Sequence, residues 1–342
     1  MKKRQLKVGT AKTTAAIFFA AVLLCLLFSN SADALIASPA RIEIEADPGE
    51  KINSKLTLIN DEEVAKTFYF SAENFEAQEE TGNPKFVSSD EDLAIWIEAP
   101  SQITLDPKEK KIIPFAVNVP KDAGVGGHFA AIFWSTNPPQ TTEGGQVAIG
   151  GKIGLLVFLK VRGDIIEKGE IVEFKSLSDK KLYTSLPVDF YYRFENSGND
   201  RTKPIGELAI KNTFGKAVET IPANEKQGSV LPESVRKFYI SWGREDAVDV
   251  ASLFEKGTLY PEKSFFGAVK SQISSFALGR YTADINLQYG LEKKNAQSKF
   301  AFYVIPWQLL LVIFIILVLV IFGGKLLLRR YNRWVIKKSQ VK

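Results

Sequence analysis

Few side chains in this sequence have the chemistry of a catalytic or metal site. His128 is the only histidine among 342 residues, so a charge relay or a histidine-based metal site would depend on it alone. It follows Gly126 and Gly127 at the start of an apolar stretch, where a polar residue commonly lies at the rim of a sheet. Because no serine, cysteine or orienting acid can be assigned to it as a partner, we predict no catalytic role for His128.

The other motifs that suggest chemistry are equally weak. The glycine-rich stretch 124–127 is followed by no Lys-Ser or Lys-Thr and opens no helix, so it lacks the form of a phosphate loop. The acidic segment 73–92 lacks the spacing of a calcium loop. Its carboxylate pairs, Glu79-Glu80 and Glu91-Asp92, are ordinary on an acidic surface. We therefore expect no catalytic, cofactor-binding or metal-binding residues, no cofactor and no enzyme activity.

The amino terminus has the form of a secretory signal peptide. Five basic residues precede an apolar stretch over 13–28, and Ala32-Asp33-Ala34 matches an A-x-A cleavage pattern, which predicts a mature start near Leu35. An uncleaved anchor is the alternative, because the apolar stretch is slightly long. Cys25 is the only cysteine, and Leu24 before it is too large for a lipid-attachment motif. The exported part is therefore expected to fold without disulfides.

A second apolar stretch, 307–324, has the length of a membrane-spanning helix. It contains no charged residue, and about 20 such residues in a helix span the hydrocarbon core. The residues after it include many bases and no acid, which places the carboxyl terminus in the cytoplasm and the preceding chain outside. We predict a single-pass type I protein of the cell membrane, anchored by Trp307 at the interface and by Arg329, Arg330 and Arg333. A buried core helix is the alternative.

The overall positive charge belongs to the two ends of the chain. Five of the 44 basic residues lie in 1–34 and seven in 325–342, whereas Asp33 is the one acid of 39 in those segments. Residues 35–324 therefore carry a formal charge of about −6 at neutral pH. This balance argues against a nucleic-acid partner.

Between the two apolar stretches, short runs of alternating apolar residues are separated by turn residues, a pattern that predicts strands. The spacing favours an all-β ectodomain of two tandem immunoglobulin-like β-sandwiches. Trp96 or Trp134 is expected at the centre of the first core. The predicted strands are 41–46, 55–60, 67–72, 95–97, 102–105, 111–119, 128–134 and 153–161, then 171–175, 188–195, 206–211, 217–221, 236–242, 280–288 and 297–305.

Two short amphipathic helices are predicted within the second sandwich, over 247–254 and 265–276. Phe265 and Phe266 in the second of these are expected either to complete the core or to touch lipid headgroups. The predicted organisation is a signal peptide over 1–34, sandwich 1 over 35–162, sandwich 2 over 163–305 with a partly helical insertion near 244–278, a membrane helix over 306–324 and a basic cytoplasmic tail over 325–342.

In layout, the sequence resembles the WxL-interacting surface proteins of Gram-positive bacteria. The resemblance rests on the turn Pro48-Gly49-Glu50 before the strand LTLIN, on the segments VDFYYRFENSGN and GRYTADINLQYG, and on the final apolar helix with its basic tail. It implies a first domain that binds peptidoglycan and a second that binds host ligands. No functional residue is carried over from it.

The first sandwich also resembles the amino-terminal domain of pilus chaperones. Ile153, Leu155, Val157, Leu159 and Val161 alternate as a donated strand would, although a core strand of the sandwich gives the same pattern. The sequence therefore predicts a non-enzymatic surface protein. Its expected partners are a cell-wall polymer or another surface protein, together with the lipid bilayer at the final helix. A chaperone-like assembly factor for exported subunits is the alternative.

Overall fold

The computed structural model describes residues 35–88, 90–138, 151–244 and 263–339. The predicted signal peptide, 1–34, and the predicted helix 247–254 lie outside these residues. The helices are α1 Leu93–Trp96, α2 Phe265–Ser274 and α3 Trp307–Ser339. The strands are β1 Leu35–Ser38, β2 Arg41–Ala46, β3 Lys51–Asn60, β4 Lys66–Ala77, β5 Pro84–Val87, β6 Ile97–Glu98, β7 Gln102–Leu105, β8 Lys110–Asn118, β9 Gly126–Ser135, β10 Lys152–Val161, β11 Gly169–Ser176, β12 Leu182–Tyr183, β13 Val188–Asn196, β14 Ile205–Lys211, β15 Ala217–Pro222, β16 Ser234–Trp242, β17 Gly279–Tyr289 and β18 Lys294–Val304.

The first sandwich is built from β1 to β10. One sheet has the order β1-β3-β8-β6, and the other has the order β2-β10-β9-β4-β5 with β7 beside β4. β2 runs parallel to β10, with Arg41 opposite Leu156 and Ala46 opposite Val161. Trp134 is 1% exposed and lies in the core between the sheets, whereas Trp96 is only partly buried against it.

The second sandwich is built from β11 to β18 and has an aromatic core. Its sheets have the orders β11-β13-β16 and β12-β18-β17-β14-β15. Phe190, Tyr192 and Phe194 alternate along β13 and are fully buried, because every second side chain of a strand faces the same side. The Tyr192 ring stacks on Phe238 at 4.9 Å, and its hydroxyl donates to the Ala223 carbonyl. The prediction of two tandem immunoglobulin-like sandwiches followed by one apolar helix is confirmed.

The strand predicted over 95–97 is wrong. The chain forms α1, a single helical turn, before the short strand β6. The Asn74 side chain accepts a hydrogen bond from Ala94 N at 2.8 Å and donates to the Glu91 carbonyl at 2.6 Å. The buried Asn74 side chain, about 20 residues earlier in the sequence, therefore stabilises this turn. The periodicity of apolar residues does not reveal such a contact.

α3 follows β18 almost directly and is the one helix among the described residues that is long and apolar enough to cross a membrane. Its most apolar window has a mean hydropathy of 3.0, and only 6% of that window is buried. The alternative of a buried core helix is therefore wrong. The helix continues past the apolar stretch through the basic residues to Ser339.

α2 packs beside the start of α3 rather than inside the second core. Phe265 is 39% exposed and Phe266 is 80% exposed. The expectation that these two side chains complete the core is therefore wrong. The one buried side chain of α2 is Gln272, which contacts the first turn of α3.

Candidate functional site

A cleft of about 240 Å³ lies between the two sandwiches. The first sandwich contributes β2, the β4–β5 hairpin and the outward face of β10. The second contributes the start of β16 and the loop before it, which spans 226–231. Since ligand sites are usually concave and form where domains meet, this cleft is the candidate site of the molecule.

The wall from the first sandwich is apolar. Along β10, Leu155, Val157 and Leu159 face the core and are at most 1% exposed, so the intervening Leu156 and Phe158 face the cleft. The apolar set that resembled a donated strand is therefore a core set, as the core-strand interpretation predicted. The residues on the opposite face are the ones that a partner could reach.

An aromatic cluster supports this wall from the same face of the sheet. The Phe158 ring lies 5.5 Å from Phe75 and 5.7 Å from Phe129, both in edge-on geometry. Phe86 makes a similar contact with Phe133 at 4.9 Å. Edge-on pairs of this kind stabilise by about 0.5–1.5 kcal/mol beyond the area that they bury. The wall is therefore backed by a packed aromatic cluster.

Arg236 lies on the opposite side of the cleft with its hydrogen-bonding capacity incompletely used. Its Nη1 donates to the Ser229 carbonyl at 2.7 Å, and the guanidinium lies 5.1 Å from the Phe238 ring. Its Nε is buried and has no hydrogen-bond partner among the described residues. Burial lowers the pKa of Arg236 from its usual value. Among the described residues, no carboxylate forms an ion pair with this side chain.

Two glycines make room for this guanidinium. A Cβ atom on Gly82 would lie 2.1 Å from Arg236 Cζ, and one on Gly228 would lie 2.8 Å from it. Gly82 also has a positive φ of 77°, which other residues adopt rarely. A larger residue at either position would displace the arginine from the cleft.

Two further bases, Arg41 and Lys226, line the cleft, and Glu79 is the one acid among its lining residues. Arg41 lies 3.7 Å from Glu43 and remains half-exposed. The cleft therefore combines an apolar wall with a surplus of positive charge. Such a surface fits an extended segment with apolar side chains and an acidic group.

The β4–β5 hairpin connects the two sandwiches at one end of the cleft. Arg193 Nε donates to both carboxylate oxygens of Glu80, at 2.9 and 3.0 Å. The Glu80 carbonyl accepts from Lys237 N at 2.9 Å. Paired donation from one guanidinium to one carboxylate fixes orientation as well as distance.

A second connection lies at the other end of the cleft. Arg201 donates to Glu43, and its guanidinium lies 4.9 Å from the Phe158 ring. The hydrogen bond from Arg201 holds the pKa of Glu43 below its usual value. Lys160 pairs with Asp200 at 3.2 Å. Ion pairs between the two sandwiches thus lie at both ends of the cleft.

His128 lies away from the cleft, at the rim where β9 begins. Its Nδ1 contacts the Asp92 carboxylate at 2.5 Å, and its Nε2 contacts the Gly124 carbonyl at 2.8 Å. The ring also packs against Trp96. Both ring nitrogens thus already have hydrogen-bond partners within the described chain. Among the residues that the structure describes, no group of three or more His, Cys, Asp or Glu side chains is placed to hold a metal ion.

The structure places the expected anchor residues along α3. Trp307 is the first residue of the helix, is 49% exposed and lies 6.2 Å from the Phe265 ring. Arg329, Arg330 and Arg333 are exposed on its later turns. The helix therefore presents an aromatic residue at one end of its apolar stretch and cations at the other.

No family model matches the sequence, and the search of curated proteins found no match. Several solved structures are similar to it. The class 5 fimbriae chaperone CfaA aligns with a TM-score of 0.38 and 10% identity, covering 80% of this chain and 100% of the chaperone. The E. coli chaperone DraB aligns with a TM-score of 0.33 and 9% identity over 80% of this chain and 97% of DraB. The Pseudomonas aeruginosa CupB2 chaperone aligns with a TM-score of 0.33 and 8% identity, covering 79% of this chain and 100% of CupB2.

Likenesses this low in identity and TM-score transfer neither partner nor mechanism to this chain. WxL-interacting surface proteins, which the sequence resembles in layout, are not among these three structures, so that resemblance stays a prediction. The cleft itself was not predicted. Arg236 stood in the sequence as one base in the strand RKFYISW, and the glycines that surround it are 154 and 8 positions away.

Proposed function

We propose that this chain is a non-enzymatic, membrane-anchored assembly factor that holds an extended segment of another exported protein in the cleft between its sandwiches. The observation that carries the proposal is that the cleft is lined both by the apolar Phe158 wall and by Arg236, whose guanidinium pairs with no carboxylate among the described residues. Apolar side chains of the segment pack on the wall, and Arg236 donates hydrogen bonds to an acidic group of the segment. The cleft, and not the likeness to fimbrial chaperones, supports this proposal.

We also propose the membrane arrangement. Sandwich 1 over 35–162 and sandwich 2 over 163–305 lie outside the cell, 306–324 crosses the membrane, and 325–342 is the cytoplasmic tail. Trp307 lies at the outer interface, and Arg329, Arg330 and Arg333 lie at the inner one. The basic flank of α3 and the fusion of β18 to its start support this orientation.

Peptide binding to the detergent-solubilised full chain tests the proposed function. Peptides with alternating apolar residues and one acidic group are expected to bind. Arg236→Gln is expected to weaken binding about tenfold or more, because a hydrogen bond to a charged group contributes about 1.5–3 kcal/mol. Phe158→Ala is expected to weaken the binding of every apolar peptide. The measurement is fluorescence anisotropy with labelled peptides.

Lys55→Gln is the matched control, since Lys55 is exposed on β3 in the opposite sheet of the first sandwich. Thermal melting shows whether the Arg236 variant still folds. Isolated cell-wall polymer is tested in parallel. Binding to wall polymer without binding to any peptide, unchanged in the folded Arg236→Gln protein, would contradict the proposal and favour a wall-binding role.

A further inference from the structure

The end of the second sandwich from which α3 emerges presents a cluster of exposed apolar side chains. At this end β17 begins and β18 finishes, with Gly279 opposite Val304. Only Ile305 and Pro306 separate Val304 from α3. Side chains that lie beside Gly279 are therefore close in space to the point where α3 would enter a bilayer.

Phe214 is the most exposed of these side chains. It lies in the turn between β14 and β15 and is 91% exposed. Thr213, the residue before it, donates from Oγ1 to the Arg280 carbonyl at 3.0 Å. The turn is therefore fixed to the first residues of β17 and projects from the same end of the sheet as α3.

The conformation of this turn is fixed by its own hydrogen bonds. Asn212 Oδ1 accepts from Phe214 N at 3.0 Å and from Lys216 N at 3.1 Å. These bonds order the backbone while the Phe214 ring remains in solvent. An ordered turn that presents an aromatic ring outward has no explanation in the packing of the sandwich itself.

α2 supplies the second part of the cluster. Gln272 fixes α2 to α3, because it donates to Gln308 Oε1 at 2.6 Å and accepts from Leu309 N at 2.9 Å. Phe266 and Ile273 are 80% and 62% exposed on this helix. Phe276, just beyond α2, is 59% exposed. The helix is thus held at the level of the first turn of α3 with its apolar side chains unburied.

Exposed bases accompany these side chains: Lys216 follows the turn, Lys270 lies on α2 and Arg280 lies on β17. Aromatic rings interspersed with cations are suited to the headgroup region of a membrane, where the rings enter the acyl boundary and the cations contact phosphates. We propose that the β14–β15 turn and α2 form a membrane-docking face that holds the second sandwich on the bilayer surface. This inference rests on the proposed anchoring of α3.

Site-directed spin labelling of the full chain tests this face. Cys25 is the only native cysteine, so a Cys25→Ser background accepts single labels. Nitroxides at Phe214→Cys and Phe266→Cys are compared in nanodiscs of phosphatidylglycerol and phosphatidylcholine. The expected result is a high ratio of oxygen to nickel-chelate accessibility at both positions, which reports immersion at the headgroup–acyl boundary.

Two further labels make the outcome decisive. Leu291→Cys is the matched control, because Leu291 is 80% exposed at the β17–β18 turn, at the opposite end of the same sheet. Leu317→Cys reports on α3 itself. If the label at Leu317 is immersed while the labels at Phe214 and Phe266 have the same accessibility ratio as the label at Leu291, the proposed docking face is wrong but the membrane anchor is retained. If Leu317 is also in water, the anchor is wrong. Neither outcome depends on the peptide-binding cleft.

Discussion

At the scale of single residues, His128 has a protonation state that its two partners dictate. Nδ1 faces the Asp92 carboxylate and Nε2 faces the Gly124 carbonyl, and the doubly protonated ring can donate to both. Burial lowers the pKa of His128, but the hydrogen bonds to Asp92 and to the Gly124 carbonyl outweigh it, and the pKa lies above its usual value. The two hydrogen bonds at the rim of the sheet therefore favour the protonated form of His128.

This arrangement makes the stability of the first sandwich depend on pH. A pKa that is raised in the folded state stabilises the fold fully below the unfolded pKa of about 6.5. That contribution is lost as the pH rises through the folded-state pKa. We expect the NMR titration of His128, whose ring signals are unique in the chain, to have a midpoint above about 6.5.

Asp92→Asn is the variant to compare, since asparagine also tolerates the positive φ of 63° at this position. The variant is expected to lower the midpoint and to reduce the loss of thermal stability between mildly acidic and mildly alkaline pH. An unchanged titration in Asp92→Asn would show that the carboxylate does not hold the proton on His128.

The position of His128 at a strand start was evident in the sequence, but its partner was not. Asp92 lies 36 residues away, before a helical turn that the apolar pattern predicted as a strand. Arg236 was missed for a similar reason. Its surroundings come from both sandwiches, and local pattern carries no information on side chains brought together by tertiary packing.

At the scale of elements, alternation predicted the strands well because each sandwich buries one face of each sheet. β10 shows the limit of that rule. Its inward face is the core set that the core-strand interpretation predicted, and its outward face carries Leu156 and Phe158, which line the cleft. A strand that is apolar on both faces indicates that its outward face also packs against something or lines a site. In β10 the outward face forms the apolar wall of the cleft.

The junction of α2 with α3 depends on Gln272. Leu309 N belongs to the first turn of α3, where backbone donors have no partner within the helix, and the Gln272 side chain satisfies it. Gln272→Ala leaves this buried donor and Gln308 without their partner, at an expected cost of about 1–3 kcal/mol to the packing of α2. Faster amide exchange over 265–274 in the detergent-solubilised chain is the predicted result.

Ser274→Ala serves as the comparison, since Ser274 is exposed on α2 and its hydroxyl donates to the Ser271 carbonyl within the same helix. In the Ser274→Ala protein, the amides over 265–274 are expected to exchange at nearly the same rate as in the unaltered chain. Equal protection of α2 in the Gln272 and Ser274 variants would show that the aromatic contact between Phe265 and Trp307 holds the helix without the glutamine.

At the scale of the whole molecule, charged contacts at both ends of the cleft fix the two sandwiches relative to one another. Glu80 reaches Arg193 and Lys237 at one end, and Glu43 reaches Arg201 at the other. The sequence predicted two sandwiches and a terminal helix, because these follow from local periodicity and hydropathy. It did not predict the angle between the sandwiches, because the ion pairs and backbone hydrogen bonds that join them, such as Gly127 N to the Asn199 carbonyl, connect residues that are distant in sequence.

Photocrosslinking from within the cleft tests the central claim most directly. A benzophenone amino acid replaces Lys226, an exposed lining residue, in the full chain in its native membrane, and a matched protein carries it at Lys55 on the far sheet. We predict that the Lys226 position crosslinks to an exported protein through one extended, apolar segment, and that Arg236→Gln abolishes this product. Identical products from Lys226 and Lys55, or a Lys226 product that persists in Arg236→Gln, would contradict the account.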